Sequence, residues 1–164
     1  DEVERAVAAG DVARVERSFS AIRDKFGGTT YAQQAGLLAA KVLDGQKTTE
    51  GTAAAKSALA WVAEKSADPG YQAIARMRLA GVLVEAKAYD EALQQLQAPF
   101  PKEFEALAAD RRGDILALQG KRAEAIAAYT TAYQKFTDRN EYRGLVEIKL
   151  HALGIEPKTA EAAK

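Results

Sequence analysis

The chain offers one imidazole, His151, and no thiol. A Ser-His-Asp relay needs a hydroxyl beside the imidazole and a carboxylate behind it. Ser18, Ser20, Ser57 and Ser66 lie on helical segments far from His151, and none sits in a nucleophile-elbow pattern. A metal site needs several converging ligands, so a lone His reads as a surface or partly buried helical side chain. The lack of Cys excludes disulfides, thiolate nucleophiles and zinc-thiolate sites. GDILALQGKR, residues 113–122, has the glycines and basic pair of a phosphate loop, but six residues separate Gly113 from Gly120 where four are required. Arg122 also stands where a hydroxyl would ligate magnesium. Glu103 with Glu105, and Asp110 with Asp114, flank Lys and Arg and read as solvated charges with partners one helical turn away. No catalytic residue, metal or cofactor is expected. An enzyme with an unrecognised site would need clustered titratable groups that the sequence does not offer.

Charge carries no signal of its own. There are 23 basic and 23 acidic residues, with the signs interleaved. Arg111 and Arg112 are offset by Asp110 and Asp114, so there is no basic stripe and no expected nucleic-acid partner. No run approaches the roughly 20 apolar residues of a membrane span. The chain opens on DEVERAVAAG, which reads as mid-helix. The expectation is a segment upstream of Asp1.

Binding surfaces remain, and helices must carry them. About a fifth of the chain is Ala, the best helix former and small enough to let helix axes come close. Stop signals divide the chain into helices of about four turns. A stub ends at Gly10-Asp11, and a helix from Val12 to Phe26 stops at Gly27-Gly28. Thr29 or Thr30 caps the next helix, which runs to a connector at Gly45–Thr49. Further helices are expected over Ala53–Lys65, Tyr71–Glu85, Asp90–Gln97, Glu103–Gln119, Ala123–Phe136 and Glu141–Leu153. Asp138–Asn140 reads as a loop. No stretch alternates with period two for long enough to argue a strand, so the fold is all-α with antiparallel neighbours.

The helices repeat in pairs. KAYDEALQQL and GKRAEAIAAY align without a gap at Glu91/Glu124, Ala92/Ala125 and Leu96/Tyr129. Upstream, Ala80 matches Gly113 and Leu83 matches Leu116. This small/large alternation is that of a tetratricopeptide repeat. Small residues on the two helices of a pair face each other, Ala80 against Ala92 and Gly113 against Ala125, and larger groups fill the rim. The strongest unit is about 106–139. The unit at 73–101 is cut short by Pro99, and 31–65 and 1–26 match loosely. Arg76 and Ala109 replace the usual Trp. The alternative is a generic Ala-rich helical bundle. The expected architecture is a tetratricopeptide-like right-handed solenoid with a C-terminal capping helix, one domain over 1–155 and a flexible tail at 156–164.

In stacked helix pairs the first helices line a concave face. By register, Ile74, Met77, Gly81 and Val84 point there from one repeat, and Leu107, Asp110, Asp114 and Ala117 from the next. Ile74, Met77, Val84, Leu107, Asp110 and Asp114 are the candidate protein-binding residues. Met77 is the lone Met, and its flexible apolar side chain suits adaptable contacts. The competing reading makes Ile74 and Met77 plain core.

Four stretches, GGTTYAQQAGLLAAKVL, YQAIARMRLAGVLVEAKAYDEALQQL, FEALAADRRGDILALQGKRAEAIAAYTTAY and YRGLVEIKLHALGI, resemble the ancillary SecYEG translocon subunit family over about residues 1–155. ADRRGDILALQGK, residues 109–121, is the most specific. The resemblance implies a periplasmic tetratricopeptide-like domain of a single-pass inner-membrane protein, reaching the membrane only through an N-terminal anchor absent from this chain. It implies a non-enzymatic scaffold or chaperone. The implied partners are the SecYEG translocon, a membrane-anchored periplasmic prolyl-isomerase chaperone and unfolded or emerging secreted proteins. A repeat adaptor in outer-membrane protein assembly, or in the cytosol, is the alternative.

Overall fold

A computed structural model describes residues 11–137 and 141–157. The stub before Gly10, the loop at 138–140 and the tail from 158 lie outside the described residues. Eight helices and no strand occur among the described residues: α1 Val12–Phe26, α2 Thr30–Gly45, α3 Thr49–Lys65, α4 Pro69–Glu85, α5 Tyr89–Leu96, α6 Lys102–Leu118, α7 Arg122–Lys135 and α8 Glu141–Ala152. They fall into two compact units, 1–88 and 89–164.

In the first unit side-chain caps set the helix starts. Asp11, Thr29, Thr48 and Asp68 each accept a hydrogen bond from a backbone N–H in the first turn of the following helix. Two starts differ from the sequence reading for this reason. The Thr48 hydroxyl accepts from Gly51 N at 3.0 Å, so α3 begins at Thr49, four residues before Ala53. Asp68 Oδ1 accepts from Gly70 N and Tyr71 N at 2.7 and 3.1 Å, which places Pro69 at the first helical position, where its missing N–H costs nothing.

Each helix of this unit packs on the next. The core is Val15 and Phe19 of α1, Ala39 and Leu43 of α2, Leu59 and Val62 of α3, and Leu79, Ala80 and Leu83 of α4. Gly36 sits where three helices converge. A Cβ there would stand 2.7 Å from Val62 Cγ2 and 3.1 Å from Phe19 Cε2, so only Gly admits both side chains. Phe19 meets Trp61 edge-on, with ring centroids 5.6 Å apart. The buried Ser66 hydroxyl donates to Gln33 Oε1 at 2.9 Å, leaving neither side chain orphaned in the core.

In the second unit α5 packs on α6, α6 on α7, and α7 on α8. Ala109, Ala125, Tyr129, Ala132, Tyr133, Val146 and Leu150 form the core. Gly113 and Ala125, expected to face each other, are both buried in this unit. The side chain seated on Gly113 is Tyr129, and Ala125 fills the core beside it. An aromatic ring buries more apolar surface against a bare backbone than a methyl group can. Ala92 and Ala80 are both buried, one in each unit.

The repeat is also written in the helix ends. Lys87, Gly120 and Gly154 adopt positive φ of 59°, 72° and 72°. At each, the following N–H bonds five residues back: Ala88 to Leu83, Lys121 to Leu116 and Ile155 to Leu150. These left-handed helix stops recur about one tetratricopeptide length apart, roughly 34 residues.

Candidate protein-interaction surface

The candidate residues divide between α4 and α6. On α4, Ile74 and Val84 are half-buried and Met77 is buried. On α6, Leu107 is half-buried, Asp110 is 6 % exposed and the Asp114 side chain is 45 % exposed. Asp110 and Asp114 come together on one turn, as their spacing requires, but they are not the solvated pair that their flanking arginines suggested.

Both carboxylates take Lys149 of α8, which the sequence reading did not single out. Its Nζ donates to Asp110 Oδ1 at 2.7 Å and stands 2.8 and 3.0 Å from the two Asp114 oxygens. The Tyr129 hydroxyl donates to Asp114 Oδ1 at 2.7 Å, and Lys149 Nζ lies 5.3 Å from the centroid of that ring. Burial pushes the Asp110 carboxyl above the usual carboxylate range, with the Lys149 ammonium opposing it. Burial also pulls Lys149 down, but its hydrogen bonds to the two aspartates outweigh that and hold it above 10.5. Burial, then the Asp114 carboxylate, drives the Tyr129 phenol upward. All of this keeps the phenol neutral and the ammonium charged. The cluster clamps α8 to the α6/α7 pair and leaves one edge of Asp114 open to solvent.

Three further contacts seat α8. Arg143 stacks over Tyr133 at 4.2 Å, Tyr142 stacks on Phe136 at 6.1 Å between centroids, and Arg122 of α7 donates to the Leu153 carbonyl. Val146 and Leu150 face inward, and Leu145 and Ile148 face solvent. Thus α8 is apolar on two sides. His151 is exposed, with Nε2 4.0 Å from Glu147 Oε1.

A groove of about 530 Å³ opens among α5, α6 and α7. Leu93, Leu116 and Ala128 give it an apolar wall, and Asp90, Lys121 and Glu124 bring both signs of charge. Arg112 also lines it, and its Nε is buried without a hydrogen-bond partner among the described residues. Among the described residues no three of His, Cys, Asp and Glu stand close enough to hold a metal, and no helix is long and apolar enough to cross a membrane.

Comparison with known proteins agrees with this architecture. A family model described as a tetratricopeptide repeat-like domain matches residues 1–155. The ancillary SecYEG translocon subunit of Neisseria gonorrhoeae is 32 % identical over 152 residues, which cover 92 % of this chain and 71 % of that protein.

Proposed function

Since this chain belongs to the ancillary SecYEG translocon subunit family and is a tetratricopeptide repeat-like protein, we propose that it is a non-enzymatic scaffold that associates with the SecYEG translocon. The observation that carries the reading is the relative's printed name, with similarity running over nearly the whole of this chain. On this reading the domain is periplasmic. It holds emerging secreted proteins and links them to a membrane-anchored prolyl-isomerase chaperone.

The contact residues we assign are those of the α4 and α6 faces. Ile74 and Val84 are half-buried and offer apolar contact, as Leu107 does in the second unit, whereas Met77 is part of the core and offers none. Asp114 offers its open carboxylate edge, and Asp110 fixes the position of that edge through Lys149. The groove lined by Leu93, Leu116 and Ala128 in the second unit is a further candidate contact.

Site-specific photo-crosslinking in membranes tests the proposal. A crosslinker at Val84 or Leu107 should capture translocon subunits and secreted chains in transit, and one at exposed Ser57 should capture far less. Equal labelling from all three positions would discard these faces. Failure to recover any translocon subunit would discard the association itself.

A further inference from the structure

We propose that α8 is a latch: it leaves the α6/α7 pair as one unit while that pair stays folded, and the Lys149 clamp sets the fraction that is closed. The three helices are held unequally. α6 buries six of its residues and α7 five, whereas α8 buries Val146 and Leu150 alone. Leu153 and Ile155, past its end, add partial burial. Leu145 and Ile148 face solvent and add no hold. Nor is α8 stable by itself. Twelve residues are too few for a persistent isolated helix in water, and Gly144, Val146 and Ile148 are weaker helix formers than Ala. Released, α8 loses the packing that keeps it helical, so docking and helix are lost together.

The rest of the hold is polar. Lys149 reaches Asp110 and Asp114, and both Lys149 and Asp114 are partly open to water. Arg143 stacks on Tyr133, and Arg122 donates to the Leu153 carbonyl. Water replaces such partners at small net cost. Asp110 is nearly sealed while α8 is closed, so its carboxylate gives up hydration. Opening returns that hydration and offsets the lost ion pair.

A helix pair remains behind. The Tyr129 ring rests on Gly113 without help from α8. Leu96 and Ala108 lie at a groove lined from α5, α6, α7 and the loop between α5 and α6. Opening bares Asp110 and the clamped side of Asp114, two of the contact residues assigned above. That consequence rests on the contact reading, whereas the opening itself is measured with no partner present.

Hydrogen exchange of the full chain, read peptide by peptide, tests the latch. Amides of α8 should be protected at least about tenfold less than those of α6 and α7. Their protection should barely change in low urea, because opening one helix exposes little surface. Lys149→Met should lower α8 protection about tenfold further. Leu96→Ala should lower protection in α6 and α7 and leave that of α8 unchanged. Val146→Cys gives a second reading in a chain with no other thiol. Its buried sulfur should react with a thiol reagent at a rate that Lys149→Met raises and Leu96→Ala does not. Protection in α8 equal to that in α6 and α7, with the same urea slope, would mean that α8 opens only with the whole unit, and would overturn the proposal. So would α8 exchange and thiol labelling that Lys149→Met leaves unchanged. Translocon capture is a separate measurement, so its failure would remove the contact reading and not the latch.

Discussion

The ring of Tyr129 rests directly on Gly113. A Cβ added at residue 113 would stand 2.5 Å from Cδ1 and 2.9 Å from Cγ of that ring, closer than carbon atoms can approach. Beyond the ring, the phenol donates to Asp114 one residue along. Gly113→Val should therefore displace the ring and break that bond together. We expect a loss of about 1–3 kcal/mol in urea unfolding, partly recovered by Tyr129→Leu in the same chain. A midpoint equal to that of the parent would mean the ring does not sit there.

Ala125 has no solvent exposure and shares its core with Tyr129 and Ala132. Ala125→Leu adds three carbons where none fit, and should cost about 1–3 kcal/mol. Thermal melting followed by helical circular dichroism is the measurement. Ala123, exposed two residues earlier, supplies the control, since Ala123→Leu should leave the melt within about 0.5 kcal/mol of the parent.

Removing the Lys149 ammonium leaves Asp110 buried without its counter-charge. Lys149→Met keeps the aliphatic length and should cost about 1–3 kcal/mol near neutral pH. Adding Asp110→Asn should return part of that loss. The pH dependence follows from the shifts. Lys149 is held above 10.5 in the folded chain, so its contribution is complete below 10.5 and is lost as pH rises through the folded value. Asp110 is raised above 3.8, so as pH falls toward 3.8 it becomes neutral and no longer needs the ammonium. The stability gap between parent and Lys149→Met should be widest near neutrality and close at both ends. A gap that grows with acid would contradict this placement of charge.

Lys87 holds φ of 59° at a position where the equivalent stops use Gly120 and Gly154. Lys87→Gly should relieve left-handed strain and stabilise the chain by about 0.5–1 kcal/mol. Gly120→Ala should do the reverse by a similar amount. Both shifts can be read from denaturant midpoints at constant slope.

Much of the fold was legible in the chain itself. The period of apolar residues and the Gly and Pro stops marked the helices, and GKRAEAIAAY marked the turn that pairs α6 with α7. The sequence reading starts α3 at Ala53, whereas the Thr48 hydroxyl caps the Gly51 N–H and the helix begins at Thr49. The candidate surface was less legible. Asp110 and Asp114 were marked by spacing alone. Lys149, 39 residues from Asp110, gave no signal, because a lysine on a mixed helix looks like any solvated charge.

The sequence by itself determined that this is an all-helical repeat protein, because helix propensity, caps and small-residue spacing are local and can be read one turn at a time. Only the tertiary structure decided that the Tyr129 ring rests on Gly113, that Asp110 is sealed by a lysine from the last helix, and that α8 carries a second apolar face. Those outcomes depend on which side chains meet across different helices, and contact across space leaves no periodicity in the chain to be read.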